Sequence, residues 1–257
     1  MKSLLEQGEG GDGSDPVFRN RIRLSFRHAA VATLSLPFLS FLFCIIWSLL
    51  FSFRQTTATH CGVVNYLPSI SSAIGHYPQS HVWKLGIALH TAPRLFVASI
   101  YLEHYKTILV SSSIWLTWMT VVFNVAEILS LLGLSLISST FIHELHAACF
   151  TLFVICATLY MLLTLVLLQI YRRSNESALE RKSRQLKITT FLVNCLGVAF
   201  AVYLYVRHNK YCEPYVYTWF ALAEYAVVLS NMAFHATAYQ DFYYTKVIIT
   251  ARGVKII

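Results

Sequence analysis

His28–Phe53 reads HAAVATLSLPFLSFLFCIIWSLLFSF, 26 residues without one Asp, Glu, Lys or Arg, set between Arg27 and Arg54. About 20 predominantly apolar residues cross the hydrocarbon core of a bilayer, so this stretch spans with a turn to spare. It also exceeds the apolar centre of a cleavable signal, about 7–15 residues, and is expected to serve as an uncleaved anchor. Backbone groups in hydrocarbon must be bonded within their own segment, which makes the stretch a helix, and Pro37 is expected to kink it.

Five further stretches follow the same pattern: Lys84–His104, Ile108–Ser135, His146–Tyr171, Ile188–Val206 and Tyr215–Tyr239. The predicted fold is therefore all-α and polytopic. A six-helix transmembrane bundle over residues 23–241 follows a disordered N-terminus, 1–22, and precedes a C-terminal tail, 242–257. The chain is 56% hydrophobic and only 12% charged, half the charged share of roughly 25% in a soluble domain. Too little polar side chain is left to coat a surface in water.

The net charge of +8 excludes nothing by itself, but its distribution argues against nucleic acid. The basic residues cluster beside spans, as Arg19, Arg21, Arg23 and Arg27 before the first and as Arg172, Arg173, Arg181, Lys182, Arg184 and Lys187 between the fourth and fifth. Basic juxtamembrane loops stay in the cytosol, so both termini are expected there, with Lys246, Arg252 and Lys255. The opposite side holds only Arg54, Arg207, Lys210 and the borderline Lys84. The sequon Asn175-Glu176-Ser177 then falls in the cytosol and is expected to stay unmodified.

On the opposite, luminal side the connection Arg54–Trp83 is long for a segment without helix or strand pattern, and such loops are usually functional or disordered. Its Gly62, Pro68, Gly75 and Pro78 predict a folded, turn-rich cap. Of six cysteines, Cys44, Cys149, Cys156 and Cys195 lie inside spans, where a thiol behaves as a small hydrophobe. Cys61 and Cys212 fall in two luminal loops, either bridged, as that compartment allows, or as two free thiols. No CxxC or His/Cys pair at zinc spacing appears, which argues against a structural zinc site.

Ionisable residues inside spans cost energy and point to function. His90 and Arg94 share a face of the second helix, Asn124 and Glu127 a face of the third, and Glu224 lies in the sixth. Counted from the predicted helix ends, these form one shelf in the luminal half of the membrane, with Arg94 paired to Glu127 or Glu224. The shelf is either a buried ionic latch or a lipid-facing site with His90 as base, Glu127 or Glu224 orienting it, and Arg94, Asn124 and Lys84 binding an anionic headgroup. His143, Glu144 and His146 form a second cluster at the luminal surface, readable as a metal site, though HxxH on a short loop is a weak match, as substrate-binding or acid–base residues, or as a helix cap. Asn231 and His235, near the cytosolic end of the sixth helix, are expected to pack helices, with Asn194 as a partner.

The stretch FCIIWSLLFSFRQTTATHCGVVNYLPSISSAIG, followed by LHTAPR, RHNKYCE and EYAVVLSNMAFHATAYQDF, resembles the post-GPI-attachment-to-proteins factor 2 family. That family belongs to a wider group with autophagy-linked and yeast lipid-regulating members. The similarity covers about Arg23 to Asp241 and is weak in the third and fourth spans. It implies a multi-pass protein of the Golgi membrane, with the endoplasmic reticulum as a second location. There it would replace the sn-2 chain of glycosylphosphatidylinositol (GPI) anchors with a stearoyl chain after a partner deacylase has removed the original. Its substrates are then GPI-anchored proteins and membrane lipid, with no tightly bound cofactor and either a phospholipid or acyl-CoA as acyl donor. The family's loop and LHTAPR residues fall on His60, Cys61, Gly62, Asn65, Tyr66, His90 and Arg94. Two functions lead: a lyso-GPI acyltransferase, or a non-catalytic cofactor that presents lyso-GPI to, or stabilises, another acyltransferase; a channel or transporter is a third, against which the lack of broken helices argues.

Overall fold

The computed structural model of the chain describes residues 22–108, 114–137, 142–170, 176–250 and 253–256. Most of the predicted disordered N-terminus, Arg172, Arg173 and the acceptor Asn175 lie outside these. After a short strand β1 (Ile22–Ser25), the chain forms α1 (Phe26–Phe51), α2 (Phe53–Thr57), α3 (Ile70–Ala73), α4 (Gln79–Ile108), α5 (Ile114–Leu136), α6 (His143–Ile170), α7 (Ala178–Tyr211), α8 (Val216–Ala236) and α9 (Ala238–Asp241), then β2 (Lys246–Thr250) and β3 (Gly253–Ile256). The protein is an all-α polytopic membrane protein with a small strand appendage.

Five helices, α1, α4, α5, α6 and α7, are long and apolar enough to cross a membrane. Each turns apolar side chains outward: Leu39, Leu50, Leu85, Trp115, Leu162 and Leu196 are all exposed, as they must be where lipid is the solvent. The helix α8 carries Glu224, Asn231 and His235 and is less apolar, yet its 21 residues reach about 31 Å at 1.5 Å each. Parity bears on its role. β1 pairs with β2, from Ile22 against Ile249 to Ser25 against Lys246, so the chain enters α1 and leaves α9 at one face, as an even number of crossings requires. α8 is the candidate for the sixth.

The six long helices form a ring in chain order, with α1 closing on α8. The α1–α4 contact is set by Gly86, where a Cβ would stand 2.0 Å from Ser40 Oγ and 3.3 Å from the Leu36 carbonyl. Only glycine lets the two backbones approach so closely. At the face bearing the strands, Phe26, Tyr101, Tyr105, Phe242 and Val247 share a core. At the opposite face, which we call the loop face, Phe41, Cys44, Ala73, Ile74, Trp83 and Ile87 share another.

Three features depart from the sequence reading. The sheet is one: the tail 242–257 is not free, because β2 pairs with both β1 and β3. The second is α7, which starts ten residues before Ile188, at a capping box made by Ser177 and Glu180, so much of the basic connection is helix. Within it the buried Lys187 binds Asp241 at 2.5 Å and Ser183 at 2.7 Å, which explains how a cation survives inside the bundle. The third is α4, which begins at Gln79 and not at Lys84, because the cap covers its first turns.

Candidate functional site

Four helices bring polar side chains to the centre of the ring. From α4, Arg94 donates to Asn124 Oδ1 (3.3 Å) and Glu127 Oε1 (3.4 Å) of α5. From α8, Asn231 donates to the same carboxylate oxygen at 3.1 Å, and His235 Nε2 lies 2.9 Å from it. That nitrogen is also 3.0 Å from Arg94 Nη2, so the ring can donate to Glu127 in one tautomer or accept from Arg94 in the other. Tyr160 of α6 stacks on the His235 ring with centroids 5.2 Å apart. Arg94 and Glu127 are 6% and 1% exposed. Beside them lies a cavity of about 20 Å³, bordered by Thr33, Arg94, Tyr101, Asn124, Tyr160 and His235. That is room for a water and not for a lipid chain.

This cluster corrects the predicted shelf in two ways. Asn231 and His235 belong to it, whereas Glu224 does not, and Asn194 bonds Val227 and Ser230 instead of Asn231 and His235. Arg94 also lies in the middle of α4, about 22 Å from Gln79, so the cluster is central and not in the loop-face half. Counting depth from apolar run ends fails here because α4 runs five residues further than its hydropathy suggests. The orienting group for His90 is likewise different. Its Nδ1 bonds the Thr33 carbonyl at 2.8 Å, and neither Glu127 nor Glu224 is the partner.

Glu224 serves the cap. Its carboxylate accepts the backbone N–H of Ile70 at 3.0 Å, and the neighbouring Tyr225 hydroxyl donates to the Pro68 carbonyl at 2.5 Å. Upstream, Tyr215 N–H donates to the Val64 carbonyl (3.0 Å) and Tyr66 N–H to Thr218 Oγ1 (2.9 Å). Cys61 is bonded to Cys212, with Cα atoms 5.2 Å apart. The Arg54–Trp83 connection is thus laced along α8, a folded cap as its turn residues suggest. Near the bridge, Arg207 grips Glu213 through two bonds of 2.6 and 3.0 Å, which holds that carboxyl below its ordinary range.

At the end of the cap, Ser71 Oγ lies 3.1 Å from His146 Nε2, and His146 Nδ1 lies 2.7 Å from the Ile137 carbonyl. The predicted outer cluster therefore separates. His146 turns inward to the cap, Glu144 is exposed, and the His143 side chain lies outside the described residues. Lys84 is half-buried, one residue beyond Trp83, whose indole donates to Ser135 at 3.0 Å. Ligand atoms of His60, Cys61 and His208 gather within 4.8 Å, but a metal takes a thiolate and this sulfur is spent in the disulfide. Ser71 drew no attention in the sequence. A run of serines in a loop carries no signal until the fold sets one of them against an imidazole 75 residues away.

Comparison with known proteins bears on the whole bundle. Residues 25–245 match the Frag1/DRAM/Sfk1/Cwh43P N-terminal domain family. The chain belongs to this family. Within it, the chain is 47% identical over 231 residues to a Drosophila pseudoobscura pseudoobscura protein named Post-GPI attachment to proteins factor 2, covering 90% of this chain and 91% of that one. It is 44% identical over 235 residues to a Xenopus tropicalis protein named Acyltransferase PGAP2, covering 90% and 93%. A Caenorhabditis elegans protein with the first of these names is 39% identical over 241 residues, covering 90% of each chain. No solved structure matches. The family match starts at the end of β1 and runs through α9, so it takes in the central cluster, the laced cap and Ser71 with His146.

Proposed function

We propose that this chain remodels GPI anchors, placing a saturated, stearoyl chain on the sn-2 hydroxyl of lyso-GPI in the Golgi membrane. The observation that carries the reading is its 44–47% identity, over nine-tenths of each chain, to proteins named for post-GPI attachment and for acyl transfer. The charge distribution puts the loop face in the lumen, which is the leaflet that holds the anchor of a luminal protein.

The physical need for such a step is plain. One acyl chain gives only marginal membrane binding, while each buried CH₂ adds about 0.8 kcal/mol, so the second chain turns a transient attachment into a lasting one. A saturated chain also packs more closely with its neighbours than an unsaturated one. In this reading the central Arg94–Glu127–His235 cluster is the latch that fixes helix register. Its charges meet one another, and the adjoining cavity holds no more than a water. The acyl chemistry is assigned to the cap and the ends of α5 and α6, where a glycerol backbone lies at the membrane surface. GPI-anchored proteins are the substrates, and a deacylase acts upstream.

A second reading, in which the chain presents lyso-GPI to another acyltransferase, draws support from relatives whose printed name is factor and not enzyme. Cells that lack their own relative should carry lyso-GPI proteins that shed into the medium. Expression of this chain should return stearoylated anchors, read by mass spectrometry of the released lipid. Identical anchor lipids with and without the chain would dismiss both readings.

A further inference from the structure

We propose that Ser71 and His146 are a nucleophile–base pair for acyl transfer at the loop face, with the carboxylic ester of a glycerophospholipid in the same leaflet as acyl donor. The inference rests on the acyl-transfer reading above for its acceptor and goes beyond it in naming the reacting atoms and the donor class.

The tautomer follows from the bonds. A carbonyl only accepts, so the 2.7 Å contact with Ile137 requires the proton on His146 Nδ1. In the neutral ring Nε2 is then bare, and the group 3.1 Å away is the Ser71 hydroxyl. This is the order a nucleophilic serine needs: hydroxyl, basic nitrogen, and a third group that fixes the ring. The serine is held in place as well. Ser69 caps α3 by accepting from Ser72 N–H at 3.2 Å, and Ile70 is tied to Glu224, so the segment carrying Ser71 is fixed on both sides.

Four hydroxyls inside the helices behave differently. Ser130, Ser135, Thr120 and Thr190 return their protons to carbonyls one turn back in their own helices, the usual fate of a hydroxyl in a membrane helix. Ser71 instead reaches across 75 residues to an imidazole. His146 is 5% exposed and is the fourth residue of α6, about 5 Å below the first. Ser71 is half-buried. That depth belongs to the ester linkages of a lipid and not to its chain ends, and it lies on the same side of the membrane as the acceptor hydroxyl. A donor ester in that leaflet removes the need to carry acyl-CoA across the bilayer.

The reaction has two halves. Ser71 Oγ attacks the donor carbonyl carbon as its proton passes to His146 Nε2. The tetrahedral intermediate collapses with cleavage of the ester C–O bond, and the imidazolium returns the proton to the departing alkoxide. This leaves a lysophospholipid and an acyl ester on Ser71. In the second half His146 takes the proton of the lyso-GPI sn-2 hydroxyl, whose oxygen attacks the acyl-serine carbonyl, and Ser71 Oγ leaves and regains a proton from the ring. One ester is broken and one is made, with no net change in protons or electrons.

The test uses the purified full chain in liposomes of phosphatidylcholine with a radiolabelled stearoyl chain, together with lyso-GPI. A parallel sample receives a serine-reactive fluorophosphonate, and the modified residue is located by mass spectrometry. The expected results are transfer of label by the unaltered chain, a loss of about 100-fold or more in Ser71→Ala and His146→Gln, and phosphonylation at Ser71 that slows in His146→Gln. Transfer at the unaltered rate by Ser71→Ala overturns the pair and leaves the acyl-transfer reading standing. Phosphonylated Ser71 without transfer to lyso-GPI keeps the pair and dismisses that reading. Neither transfer nor modification of Ser71 in the unaltered chain overturns the pair without recourse to any variant.

Discussion

At the scale of single residues, the central cluster separates a latch from a catalyst. Glu127 Oε1 lies within bonding distance of three side chains, whereas Oε2 has no partner among the described residues. Removing the carboxylate leaves Arg94 charged and buried, which costs about 3–5 kcal/mol. Glu127→Leu should therefore lower the thermal midpoint of the detergent-purified protein sharply. Arg94→Met added to it should restore most of the loss, because two apolar residues leave no orphan charge. Failure of the double variant to recover would show that the cluster does more than lock helices. Arg94, Asn124 and Glu127 were visible in the sequence as residues too expensive to be idle. His235 and Asn231 were equally visible on one helical face, but helix depth does not follow from apolar run length when a cap extends α4 or when Asp241 anchors the segment after α8.

At the scale of elements, the α1–α4 seam depends on the missing side chain of Gly86. A valine there meets the Ser40 side chain and the Leu36 carbonyl. Ser40 can turn aside but the carbonyl cannot, and overpacking of this kind costs about 1–3 kcal/mol. Gly86→Val is expected to lower the thermal midpoint and loosen the loop-face core around Phe41 and Ile87, read as faster alkylation of the buried Cys44. An unchanged Cys44 rate would mean that the helices part without strain. Six long helices stand where the apolar runs were read, five of them apolar enough to span, because lipid demands long apolar runs and each run's location depends only on composition. The strands were not legible. β1 is four residues within a basic run, β2 is a five-residue strand after the last long helix, and β1 has no strand to pair with until β2 arrives. The cap was legible as folded from its Gly and Pro residues, but its path along α8 rests on contacts between residues more than 150 apart, which no local pattern carries.

At the scale of the whole molecule, the Cys61–Cys212 bond joins the first loop-face connection to the last across 151 residues of sequence. For a water-soluble chain a loop so long would give about 5 kcal/mol of stabilisation from denatured-state entropy. Here inserted helices already restrict the denatured chain, so we expect about half of that. Cys61→Ser with Cys212→Ser should lower the thermal midpoint and expose the cap to protease, and reduction of the unaltered protein should do the same. A cap that stays resistant after reduction would assign its order to its hydrogen bonds with α8 and His146. The sheet at the other face carries a consequence for biosynthesis. The strand that emerges first from the ribosome can bond only to one that emerges almost last, so every helix must already be in the membrane before that edge is closed. Throughout insertion the nascent chain offers an open strand to whatever protein waits at the face opposite the cap, and its withdrawal marks the moment when the last long helix is in place.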